Sequence, residues 1–86
     1  MKKNKANKIY DILVMDGGAK PSNRNSFVRN TMSADNYFDW WFGGNLGLGG
    51  MLHIGCGWIY VTCYSEDLNP ERQAIIHLIN SKLEAV

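Results

Sequence analysis

Hydrophobic and polar positions alternate most cleanly from Trp58 to Tyr64, with Ile59, Val61 and Cys63 on one side and Trp58, Tyr60, Thr62 and Tyr64 on the other. A period of two is the signature of a strand, and β-branched or aromatic residues fill nearly every position. Both sides carry apolar bulk, which predicts a largely buried central strand. Tyr37 to Phe42 repeats the pattern, setting Phe38, Trp40 and Phe42 against Tyr37, Asp39 and Trp41. Met51 to Ile54 reads as a further strand, joined to Trp58–Tyr64 by a hairpin turn at Gly55-Cys56-Gly57. Lys8 to Met15 also alternates, Tyr10, Ile12 and Val14 against Ile9, Asp11, Leu13 and Met15, and predicts a first strand ended by Asp16-Gly17-Gly18.

A different period governs the end of the chain. Ile75, Ile76, Ile79, Leu83 and Val86 recur at spacings of three and four, and Gln73, His77, Asn80, Ser81 and Glu84 fall on the opposite, wet face. Asn69 is a cap, Pro70 suits the first helical position, and Glu71 meets the positive end of the helix dipole. A second, shorter helix is expected from Pro21, Ser22 or Asn23 to about Met32, with Phe27, Val28 and Met32 turned to the core. Met1 to Ala6 is polar, lysine-rich and without period, so residues 1–7 are expected to form a mobile basic tail and residues 8–86 one domain. The fold class is therefore α+β: about four mostly antiparallel strands, a C-terminal helix packed on one face, and a short helix after the first strand.

At 86 residues there is room for one core only. The formal charge of +1 supplies no global field toward nucleic acid or anionic lipid, although Lys2, Lys3, Lys5 and Lys8 crowd the start of the chain. No apolar run approaches the roughly 20 residues of a spanning helix, and no apolar stretch follows the first lysines as in a secretory signal. A protein of the cytoplasm, not bound to membrane, with Cys56 and Cys63 as free thiols, is the expectation.

Candidate chemistry is sparse. His53, Cys56, Cys63 and His77 include zinc's preferred ligands, but Cys63 belongs to the core side of its strand and His77 to the wet side of its helix, so the four do not converge. Cys56 and His53 could meet across the hairpin as a nucleophilic pair, yet the sequence places no acid to orient the histidine. From Gly43 to Gly50 glycine fills five of eight places, but no Lys-Ser/Thr and no helix follow as in a phosphate loop, so bulges and tight bends are expected. Trp58, Tyr60 and Tyr64 resemble a base-stacking platform in kind, but no lysine or arginine lies between Trp40 and Tyr64, so nucleic acid is disfavoured as a partner. No catalytic residue, metal or cofactor is assigned.

The aromatic surplus remains. One helix covers one face of a sheet, and the opposite face, with Trp58, Tyr60 and Tyr64 joined by Trp41 and Tyr37, is then covered either by the short helix and the glycine loop or by a partner protein or a second copy of this chain.

Taken together, WWFGGNLGLGG, WIYVTCYSED and NPERQAIIHLIN resemble a pattern in small uncharacterised proteins of bacteriophages and prophages, over Trp40 to Leu83. The resemblance attaches no chemistry to any residue. It implies an accessory protein that inhibits or modulates a bacterial host protein or complex by direct contact, such as a CRISPR–Cas or other defence complex (an anti-CRISPR protein), in the cytoplasm of the host. The alternative from another class is a small cysteine- or metal-dependent enzyme centred on His53 and Cys56.

The helix entry generates a direct expectation. Asn69→Ala removes the acceptor for an otherwise orphan N–H and lowers stability by about 1 kcal/mol in denaturant unfolding. An unchanged unfolding midpoint would place the helix start elsewhere.

Overall fold

The computed structural model describes residues 1–19, 23–34, 37–43, 49–63 and 69–86. Helix α1 (Lys3–Met15) replaces both the expected tail and the expected first strand. Ala6, Ile9 and Leu13 are fully buried, and Tyr10 and Ile12 pack against the same core. Spacings of three, four and seven from Ala6 are those of a helix face. The alternation from Lys8 onward arose because adjacent apolar pairs, Ile9-Tyr10 and Ile12-Leu13, satisfy either period over a short window.

Helix α2 (Arg24–Met32) therefore follows a helix and not a strand. Asn23 caps it, its side chain accepting from the Ser26 N–H at 2.8 Å, while Pro21 and Ser22 lie outside the described residues. Phe27 and Val28 are buried as expected, but Thr31 takes the core position assigned to Met32, which is exposed. The Phe27 ring joins the layers, packing at 5.5 Å from Tyr10 on α1 and edge-on at 5.0 Å from Trp40.

Strands β1 (Tyr37–Phe42), β2 (Gly50–Gly55) and β3 (Trp58–Cys63) form one antiparallel sheet in the order β1-β2-β3. Among the described residues there are three strands, not about four, and the architecture is α+β. The two-residue turn between β2 and β3 needs a positive φ, which Gly57 adopts at 83°. The Trp58 strand is an edge strand and β2 is central, contrary to expectation. Tyr64 and residues 44–48 of the glycine run lie outside the described residues.

The inner face presents Phe42, Leu52, Ile54 and Val61 to Ile9, Leu13 and Phe27 and to the C-terminal helix α3 (Pro70–Glu84). Asn69 caps α3, accepting from the Glu71 N–H at 2.9 Å. Ile79 and Leu83 are buried, and Ile75, Ile76 and Val86 pack at the margin, so the apolar stripe lies where its spacing puts it. No described helix is long and apolar enough to cross a membrane.

Asn80 departs from the expected wet face. Its carboxamide accepts from the Val61 N–H at 2.7 Å and donates to the Val61 carbonyl at 3.1 Å, so it takes the place of a neighbouring strand at the β3 edge. Val61 is almost fully buried, and a buried amide left without a partner costs more than its hydrogen bond is worth. Asn80→Ala should therefore destabilise by about 2 kcal/mol, whereas Ser81→Ala on the exposed side stays within about 0.5 kcal/mol. Urea unfolding of the pair checks this, and equal small losses would show that the amide bonds contribute nothing.

Candidate functional site

The face of the sheet turned away from the helices is built by the strand register. Tyr37 pairs with Gly55 and Gly55 with Trp58; Asp39 with His53 and His53 with Tyr60; Trp41 with Met51 and Met51 with Thr62. Alternation sends all nine outward together. The large rings remain open to solvent: Tyr37 is 65%, Trp41 59%, Trp58 40% and Tyr60 42% exposed. Of the residues expected to contact a partner, these four share one face, and Tyr64 lies outside the described residues.

A hydrogen-bonded line crosses the middle of this face. His53 Nδ1 lies 2.6 Å from Asp39 Oδ1, and a carboxylate only accepts, so Nδ1 carries the proton. In the neutral ring Nε2 then accepts from the Thr62 hydroxyl at 2.9 Å. The Tyr37 hydroxyl donates to the other Asp39 oxygen at 2.5 Å. That bond, reinforced by His53, holds the Asp39 carboxyl below its ordinary value of 3.8 against an opposing desolvation, and it pushes the Tyr37 phenol above 10.0.

The rings organise around this line. Tyr60 stacks on the His53 imidazole at 4.7 Å and 29°, Trp58 leans on Tyr60 at 5.5 Å, and Tyr37 meets Trp58 edge-on at 6.1 Å. Gly55 is the seat of the Trp58 indole: a Cβ there would fall 2.0 Å from Trp58 Cζ2. An aromatic ring laid over a cross-strand glycine covers the backbone that glycine leaves bare.

The sequence named His53 but paired it with the wrong residue. Both of its ring nitrogens are engaged by Asp39 and Thr62, while Cys56 is exposed in the turn and Cys63 half-buried on the inner side. The acid that sequence reasoning found missing is Asp39, brought opposite by strand register. Among the described residues no group of three or more His, Cys, Asp or Glu side chains is placed to hold a metal ion. Chemically, a carboxylate-oriented imidazole beside a hydroxyl can relay a proton, and it can hold four side chains in fixed positions.

A cleft of about 540 Å³ between α1 and α2 lies elsewhere, lined by Lys3, Asn7, Asn25, Arg29 and Ser33 together with Val28 and Met32. None of these residues belongs to the hydrogen-bonded line or the aromatic group of the outer face. The chain matches no family model, no curated protein and no solved structure.

The lowered Asp39 carboxyl links stability to acid. Its contribution is fully present above the unfolded value near 3.8 and is lost as pH falls through the lower folded value. Urea unfolding should therefore show the wild type more stable than Asp39→Asn at pH 5, with the difference closing at lower pH. Parallel curves for the two proteins from pH 5 downward would remove Asp39 from the network.

Proposed function

We propose that the protein is a recognition module that works by contact: the outer face of its sheet takes hold of a component of a bacterial host complex and inhibits or modulates it. The observation that carries this reading is the coincidence of four exposed aromatic side chains on one face with a polar line to which Tyr37 is bonded and on which Tyr60 stacks. Exposed aromatic patches of this kind mark interaction sites, because buried rings supply most of the energy in an interface. The resemblance of Trp40 to Leu83 to phage and prophage proteins points to a host defence complex as the target class, and to action in the host cytoplasm. The rival reading, an enzyme centred on His53 and Cys56, finds no support in a histidine turned toward Asp39 and Thr62.

Burial of one such ring contributes about 2 kcal/mol at an interface and little to the free monomer. Trp58→Ala and Tyr60→Ala should each weaken capture of the host component at least tenfold, about 1.4 kcal/mol, while changing monomer stability by less than about 1 kcal/mol. Quantitative pull-down beside thermal unfolding of each variant reads both. Undiminished capture by both variants would move the contact surface off this face.

A further inference from the structure

The hairpin end of the outer face meets the start of α1. A cleft of about 340 Å³ opens there, lined by Lys2, Lys5, Thr31, Tyr37, Ile54 and Gly55. A second, of about 460 Å³, adjoins it through Lys5, Ile54 and Gly55 and has Trp58, Tyr60 and Glu84 in its lining. Lys2 and Lys5 are exposed. Thr31 is fully buried, and its hydroxyl has no hydrogen-bond partner among the described residues. Buried hydroxyls are rarely left so, and an acceptor oxygen bound in the cleft would answer it.

Two features decide what kind of occupant fits. Trp58 lies across Gly55, whose added Cβ would fall 2.0 and 2.1 Å from two indole atoms, and it is still 40% exposed. The face itself is small: three strands of six residues cover a footprint of about 14 by 20 Å in projection. A stable protein interface takes about 800 Å² from each partner, so a second copy of this chain would be held poorly by this face alone. A thin ligand with flat rings and negative charges is held well, because rings stack on rings and phosphates sit against lysines. Glu84, at the Trp58 side, and the Asp39 carboxylate in the middle of the face repel phosphate, which confines it to the Lys2 and Lys5 margin.

We infer that the outer face takes a single-stranded nucleic-acid segment, with one phosphate in the cleft of Lys2, Lys5 and Thr31 and the neighbouring bases stacked on Trp58 and Tyr37. This rests on the outer face being the recognition surface, and it names what that surface contacts in the host complex. The lysines that the sheet strands lack come from α1.

Fluorescence anisotropy with labelled ten-nucleotide oligo-U and oligo-dT tests it, with a duplex, uridine monophosphate and inorganic phosphate as the comparison arms. Single strands should bind with a log–log salt slope of about −0.7, the value for one neutralised phosphate. Lys2→Glu with Lys5→Glu should weaken binding at least tenfold and flatten that slope, and Trp58→Ala should weaken it tenfold at unchanged slope. Thr31→Val keeps the shape and removes the orphan hydroxyl, so binding weakens while the unfolding midpoint holds or rises. Absence of oligonucleotide binding, equal binding of duplex, competition by the mononucleotide at equal strength, or indifference to the lysine and threonine changes would each overturn the inference. If the oligonucleotides fail while Trp58→Ala still abolishes capture of the host component, only the nucleic-acid assignment falls. If they bind while capture is indifferent to Trp58→Ala and Tyr60→Ala, the wider reading falls instead.

Discussion

The outer face depends on the imidazole of His53. It stands on the central strand and reaches Asp39 on β1 through one nitrogen and Thr62 on β3 through the other, so a single side chain ties the three strands together. Solvent competes for these bonds, and exposed charge pairs contribute little to net stability. Their effect is positional. Tyr60 rests on the imidazole, Tyr37 is fastened to the second oxygen of Asp39, and Trp58 bridges the two. Rings that are already ordered lose less freedom when they are buried.

Asn80 imposes the complementary constraint on the inner side. A helix lying under a sheet is free to slide until something fixes its register, and apolar contacts are not directional. The two bonds from one carboxamide to the N–H and carbonyl of Val61 place α3 against the β3 edge, with Ile79 and Leu83 entering the core beside it. The same bonds occupy groups that would otherwise template another strand. Helix docking and edge protection are thus one interaction.

What was legible in the sequence was local. The face alternation of Tyr37–Phe42 and Trp58–Cys63, the turn at Gly57 and the Asn69-Pro70 helix entry each depend on residues within a few positions, and the structure carries them as read. What was not legible depends on distant pairing. Asp39 and His53 meet only because β1 and β2 are in a particular register, and nothing near either residue announces the other. Asn80 looks like a solvated helix position until an edge strand is beside it. Thr31 and Met32 exchange core and surface through a small rotation of α2, which the composition of that helix does not determine.

The conformation of residues 1–15 has the widest consequence, because it also sets the electrostatics. As a tail, Lys2, Lys5 and their neighbours would be solvated charges with no fixed place, and the aromatic face would have no cations near it. The residue that decides is Ala6, small and set among lysines, whose complete burial draws the start of the chain onto the core. Once α1 is anchored there, Lys2 and Lys5 stand over the hairpin end beside Tyr37 and Gly55. A formal charge of +1 over the whole chain does not reveal this, since local potential follows from where charges are held. The electrostatics of the face therefore rest on packing at its far margin: aromatic planes come from strands adjacent in sequence, and the cations beside them come from the start of the chain.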